Sequence, residues 1–205
     1  MDLLIGALLV AIWAFIAMAD AVGPKVLLGV LPLFGGFITG VILGDPVTGL
    51  LIGAYMQLIS LGLIPIGGSV PPDMTSATFF FTAVAILQGI EVVVPGGITE
   101  EGAVLFGFAL AVAFIGQQLD ILTRTVNISL IHAAERKIEE GDIKGVERLH
   151  FLGFIPWGLS RAIPVFFAVW LGGEYIEDFV IFMKKYAGWV LTGLAGMATI
   201  LPVVG

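Results

Sequence analysis

The sequence lacks cysteine altogether, has two histidines, and carries only 12% charged residues. Without cysteine there is no disulfide, no thiolate metal site and no cysteine nucleophile. Soluble globular domains contain about 25% charged residues. Half that share, together with 59% hydrophobic residues over 205 positions and a mean hydropathy of +1.08, describes an integral membrane protein. The nine basic residues form no patch of the kind that binds nucleic acid. No phosphate-binding glycine loop, nucleophile elbow or zinc motif is present. His132 and His150 lie outside the apolar runs and have no partner acid within a span, so both read as surface or packing residues. No catalytic, metal or cofactor-binding residue is assigned on these grounds.

Long apolar runs fill the space left by the missing charge. A spanning helix needs roughly 17–25 mostly apolar residues. Runs at 3–19, 26–43, 47–64, 76–94, 103–122, 151–171 and 179–201 are expected as six or seven spans, with Pro164 kinking the sixth. The first run has no basic region before it and is too long for a cleavable signal core, so it is read as a retained span. "EVVVPGGITEEG" reads as a polar turn. Between 125 and 150 the chain becomes polar and periodic, which predicts an amphipathic helical hairpin. Gly141 is its expected C-cap and Asp142 the N-cap of its second arm. Five of the nine basic residues (Arg124, Arg136, Lys137, Lys144 and Arg148) cluster there, and the positive-inside rule assigns that segment to the cytoplasm. The expected fold is therefore all-α: one polytopic membrane domain over residues 1–205, ending within apolar sequence and lacking a C-terminal portion.

One stretch does not fit a regular helix. "QLISLGLIPIGGSVPPD", residues 57–73, begins as a span and dissolves into Pro65, Gly67, Gly68, Pro71 and Pro72 before ending on Asp73. Irregular backbone at membrane depth survives only when it is buried in protein or lines a wet cavity. A re-entrant element near 65–75 is thus expected, with an external loop as the plainer reading. Ionisable residues in or beside spans mark substrate paths by default; here they are Asp45, Asp73, Asp120, Arg124 and Arg161. Asp45 also reads as a helix cap, and Arg124 as a boundary residue reaching for the membrane surface. Gln57, Gln117 and Gln118 add neutral amides, and Gln57 in mid-span needs a partner inside the bundle. Acid plus amides, without a cationic cluster, suits a neutral polyhydroxylated ligand, because a carboxylate accepts from hydroxyls and an amide both donates and accepts. The glycines of the third run, Gly44, Gly49 and Gly53, indicate close helix packing.

"GVILGDPVTGLLIGAYMQLISLGLIPIGGSVPPD" closely resembles the signature region of the IIC membrane component of the mannose/fructose/sorbose-type bacterial phosphotransferase system. "RTVNISLIHAAERKIEEGD" resembles that family's cytoplasmic helix, and "LH" at His150 with "SRAIP" at Arg161 agrees. The resemblance covers nearly the whole chain. It implies a subunit that binds and conducts a hexose-type sugar across the bacterial cytoplasmic membrane, paired with a IID membrane subunit in homo-oligomers of IIC–IID units. Cytoplasmic IIA and IIB components would supply phosphate. The expected sugar-binding residues are Gln57 and Asp73, with Asp45, Gln117, Gln118 and Arg124 assisting. Gln57 stands where many members carry Glu. The alternative from another class is an ion-coupled secondary transporter or channel for a small polar solute, using Asp45 and Asp73 as ion sites.

Overall fold

In the computed structural model, residues 1–63, 67, 69–94 and 97–184 are described. Seven helices and one small hairpin follow in order: α1 (Leu3–Val22), α2 (Pro32–Leu43), α3 (Pro46–Ser60), α4 (Met74–Leu87), β1 (Val93–Val94), β2 (Gly97–Ile98), α5 (Glu100–Glu139), α6 (Ile143–Leu152) and α7 (Phe154–Lys184). Among the described residues, three segments are long and apolar enough to cross a membrane: α1, α5, and the stretch built on α7. These three form the frame. Side chains pin the ends of α1 and α7 together, with Gly158 against the ring of Phe15 and Gly173 against Leu3, so the two helices run antiparallel. Large apolar residues such as Leu4, Leu8 and Ile12 on α1 and Ile163, Phe167 and Leu171 on α7 remain exposed on the outer surface. In a membrane protein that is the lipid-facing side.

The other apolar helices are too short to cross. At 1.5 Å per residue, α2, α3 and α4, with 12, 15 and 14 residues, reach only about 18–23 Å of the ~30 Å hydrocarbon core. The expected run at 26–43 thus becomes a helix only from Pro32. Its first six residues are held in a turn, because the Asp20 carboxylate accepts from the backbone N–H of Val26 and of Leu27, and Lys25 and Leu28 take positive φ. The run at 47–64 ends as helix at Ser60, and that at 76–94 at Leu87, just before Gly89 with φ of 65°. The expected break after the third run is present: 61–63 and 69–73 are non-helical, and half-length helices stand on either side of it.

α2 and α3 form a tight antiparallel hairpin. Gly44 closes α2 at φ 91°, Asp45 caps α3 by accepting from the Thr48 N–H at 3.0 Å, and Pro46 occupies the first turn, where its missing donor costs nothing. The two helices touch backbone to backbone. A Cβ on Gly36 would sit 2.7 Å from the Gly49 carbonyl oxygen, and one on Gly49 2.7 Å from the Gly40 Cα. α4 lies at the centre. Met74 and residues 76–85 are all buried, as expected of a helix that is apolar all round. Its three phenylalanines divide the surroundings: Phe79 packs on Trp13 at 6.3 Å, Phe81 on Phe106 at 6.2 Å, and Phe80 against Gly172.

The expected run at 103–122 and the first arm of the expected polar hairpin are one helix. α5 continues for 40 residues, about 60 Å at the standard rise, because no glycine or proline occurs between Gly116 and Gly141. Gly141 at φ 72° then reverses the chain, and Asp142 caps α6 by accepting from the Gly145 N–H at 2.9 Å. At the other end, Val93 and Val94 pair with Ile98 and Gly97, and Thr99 caps α5. α7 runs through Pro164 without interruption. Of the run expected at 179–201, residues 179–184 belong to α7 and the rest lies outside the described residues.

Candidate functional site

Asp73 ends the broken stretch, and all of its polar atoms face the protein. Its backbone N–H donates to the Ala113 carbonyl of α5 at 2.9 Å. Oδ1 accepts from the N–H groups of Thr75 and Ser76, both at 3.1 Å, and so caps α4. Oδ2 lies 2.9 Å from one terminal nitrogen of Arg161. Room for the carboxylate exists because α5 presents Gly116 there; a Cβ at that position would fall 2.5 Å from Oδ2. One residue on, the Gln117 amide donates to the Val70 carbonyl and ties down the irregular backbone just before Asp73. Ala113, Gly116, Gln117 and Asp120 follow helical spacing and share one face of α5.

Asp120 completes the cluster from that face. Its two oxygens accept from the two terminal nitrogens of Arg161 on α7 at 2.6 and 2.8 Å. Two carboxylates and one guanidinium are therefore buried together, with side chains only 2%, 12% and 7% exposed for Asp73, Asp120 and Arg161. Desolvating such charges is costly, and their stability depends on mutual pairing; removing one partner of a buried pair typically costs about 3–5 kcal/mol. The triad joins the start of α4 to α5 and α7, with all three side chains buried between those helices.

The other expected site residues are more dispersed. Gln57, half-buried on α3, accepts from the Leu33 N–H at 3.4 Å and donates to the Ser60 hydroxyl at 3.5 Å. Leu31 offers no side-chain cap to α2, so Gln57 caps that helix from across the hairpin. Both bonds are long. Asp45 spends its side chain on the α3 cap at the hairpin tip. Gln118 and Arg124 are exposed on α5. Asp73 and Gln117 are thus brought together, with Asp120 and Arg161 as neighbours; Gln118 and Arg124 are not part of that cluster. The sequence singled out Asp120 and Arg161 as charges within spans, but offered nothing to show that the two pair, 41 residues apart.

Cavities open on the surface among the described residues, three of which stand out. One of about 360 Å³ lies among Asn127, Ala134, Leu149, His150, Phe154 and Trp157 where α5, α6 and α7 meet. A second, of about 420 Å³, is wholly apolar and sits between α1 and α7. The third, of about 440 Å³, lies near the β-hairpin beside Glu91, Glu101 and Glu177. Asp73 and Gln57 line none of the three. Among the described residues, no group of three or more histidines and carboxylates is placed to hold a metal ion.

Residues 4–205 match the model of a family described as the sorbose-specific IIC component of the phosphotransferase system. The chain is 33% identical over 175 residues to the sorbose-specific EIIC component of Lacticaseibacillus casei, covering 85% of this chain and 58% of that one. It is 30% identical to the fructose permease IIC component of Bacillus subtilis, covering 73% of this chain and 52% of that one. The chain therefore spans little more than half the length of these relatives. Among solved structures it is similar to a chain in the cryo-EM structure of the mannose transporter ManYZ with microcin E492. The TM-score is 0.67 at 23% identity, over 98% of this chain and 79% of that one, and this likeness concerns the fold.

Proposed function

Because the chain belongs to the family of sorbose-type IIC components of the phosphotransferase system, we propose that it is the sugar-translocating membrane subunit of such a system. The match of residues 4–205 to the family model carries this reading. The broken membrane segment, with its buried acid and amides, is what such a role requires physically. Irregular backbone within a bundle supplies unpaired donors and acceptors. Those groups, with carboxylate and amide side chains, suit the hydroxyls of a sugar better than they suit an ion or an apolar solute.

In this reading a hexose-type sugar enters from the β-hairpin end and reaches the broken stretch. Asp73 and Gln57 orient its hydroxyls, assisted by Asp45, Gln117, Gln118 and Arg124. Motion of one group of helices against another then presents the sugar at the charged end of α5 and α6, which the positive-inside rule assigns to the cytoplasm of a bacterial cell. There a phosphohistidine on IIB transfers its phosphoryl group: the P–N bond breaks, a P–O bond to a sugar hydroxyl forms, and the hydroxyl proton is released. The transition state is loose, so positioning supplies most of the catalysis and this subunit needs no strong base. A IID subunit completes the conducting unit within the membrane, and IIA recharges IIB.

The test is reconstitution in vesicles with IID, supplying IIA and IIB phosphorylated or not. Sugar phosphate accumulating only with the phosphorylated donor is the expected result. Uptake of unmodified solute that persists without donor and collapses with an ion gradient would refute it and favour an ion-coupled carrier.

A further inference from the structure

We infer that Arg161 is a positioning residue that clamps the start of α4, with Asp120 as its permanent anchor and Asp73 as the contact that lets go. The two sides of the guanidinium are held unequally. Towards Asp120 it makes two aligned hydrogen bonds at 2.6 and 2.8 Å, the fork-to-fork geometry that fixes orientation as well as distance. Towards Asp73 it makes a single approach at 2.9 Å, with an angle outside hydrogen-bond geometry. Among the described residues Asp73 Oδ2 is left without a directed donor although it is fully buried, and Arg161 Nε likewise has no partner. A buried acceptor in that condition is unstable relative to one that is properly bonded.

What the weak contact restrains is also asymmetric. Asp120 and Arg161 both stand on long continuous helices, α5 and α7, that pack on each other. Asp73 stands at the junction between the non-helical stretch and α4, and Thr75 beside it reaches back to the Val30 carbonyl, just before α2, at 2.6 Å. Losing the Asp73 contact therefore removes the tie from the broken stretch to α7, while the bonds to α5 from the Asp73 N–H and from Gln117, and the α5–α7 pair itself, stay in place. Resting on the sugar-carrying reading above, the group that displaces the guanidinium from Oδ2 is a sugar hydroxyl. It offers the aligned donor that Arg161 does not.

The absence of cysteine permits a direct measurement. Spin labels at Ser69→Cys and Leu159→Cys, both exposed positions, report the distance between the broken stretch and α7 in the intact membrane complex. Asp73→Asn keeps an oxygen for capping α4 and removes the charge facing Arg161. Without sugar it is expected to raise the population with displaced labels roughly fivefold or more, the lower end of ordinary coupling strengths. Arg161→Lys, which keeps the charge but loses the fork, carries the same expectation should Asp73→Asn not fold. An unchanged distance distribution in whichever variant folds overturns the clamp. In the unsubstituted pair, sugar is expected to shift the labels in the same direction as Asp73→Asn. Sugar that binds without shifting them overturns the release step. If no sugar binds while the variant still shifts the labels, the clamp stands and the sugar reading fails.

Discussion

Gly49 on α3 provides the sharpest test of the packing. An added Cβ there would lie 2.5 Å from the Gly36 carbonyl oxygen, and ordinary contact begins near 3.4 Å, so the hairpin must open by about 0.9 Å. Both opposing groups, the Gly36 carbonyl and the Gly40 Cα, are backbone and cannot swing aside as a side-chain tip would. Overpacking of this kind costs about 1–3 kcal/mol. Alanine also gains about 0.5–1 kcal/mol over glycine in a helix interior, so Gly49→Ala alone understates the clash. Gly107→Ala supplies the correction. That glycine is exposed on α5 with nothing within 4 Å of the added carbon, and it collects the helix gain without the collision. Thermal unfolding of both variants in the same detergent should place Gly107→Ala at or above the parent and Gly49→Ala below Gly107→Ala by about 1–3 kcal/mol. Equal melting of the two variants would refute the backbone-to-backbone hairpin.

Arg161→Met should destabilise the protein by about 3–5 kcal/mol, since two buried carboxylates lose their cation; the triple variant Arg161→Met, Asp73→Asn, Asp120→Asn should recover most of that loss in denaturation experiments. Gln57→Leu removes two long hydrogen bonds. It should cost about 0.5 kcal/mol, the low end for a hydrogen bond, yet weaken sugar binding by about tenfold or more, which equilibrium dialysis would read. The hydrogen bond from the Gly145 N–H holds the Asp142 carboxyl below its ordinary value of 3.8. A folded value below the unfolded one contributes stability that is complete above 3.8 and lost as pH falls through the lower folded value. Protection against hydrogen exchange at the start of α6, taken relative to the intrinsic rate at each pH, should accordingly fall at acidic pH, and Asp142→Asn should abolish that fall.

What the sequence revealed depended on whether the deciding interaction was local. The caps at Asp45 and Asp142 were legible because a cap acts within three residues of itself, and the break after the third run because proline and glycine act on their own backbone. Run lengths were not. Residues 26–31 are as apolar as a span, but the Asp20 carboxylate takes their donors from six and seven positions away. Likewise, nothing in the composition at Thr125 announces that α5 continues, since helices do not end merely because the surroundings become polar. Asp73 was expected as a site residue from its place after the broken stretch, and the structure buries it there beside Arg161. The pairing of Arg161 with two acids depends on how α4, α5 and α7 meet, and no spacing along the chain encodes that.

The half-length helices and the polar residues of this oily chain have one cause. A helix that stops inside a membrane leaves free N–H groups at its start and free carbonyls at its end, each costing several kcal/mol if lipid were the only neighbour. Here the free N–H groups are met by protein, Gln57 serving the start of α2 and Asp73 the start of α4, and in the non-helical stretches before those helices Thr75 serves the carbonyl of Val30 and Gln117 that of Val70. Such residues are structural before they are anything else, and each must give up a bond if it is also to grip cargo. That requirement ranks them. Asp45 has its side chain engaged in a short local cap, and breaking it would undo the tip of the hairpin. Gln57 holds its partners at 3.4 and 3.5 Å, and Asp73 keeps one oxygen without an aligned donor. Gln57 can exchange partners at the least cost to the fold, and substitution there should separate loss of binding from loss of structure, whereas at Asp45 the two should fall together.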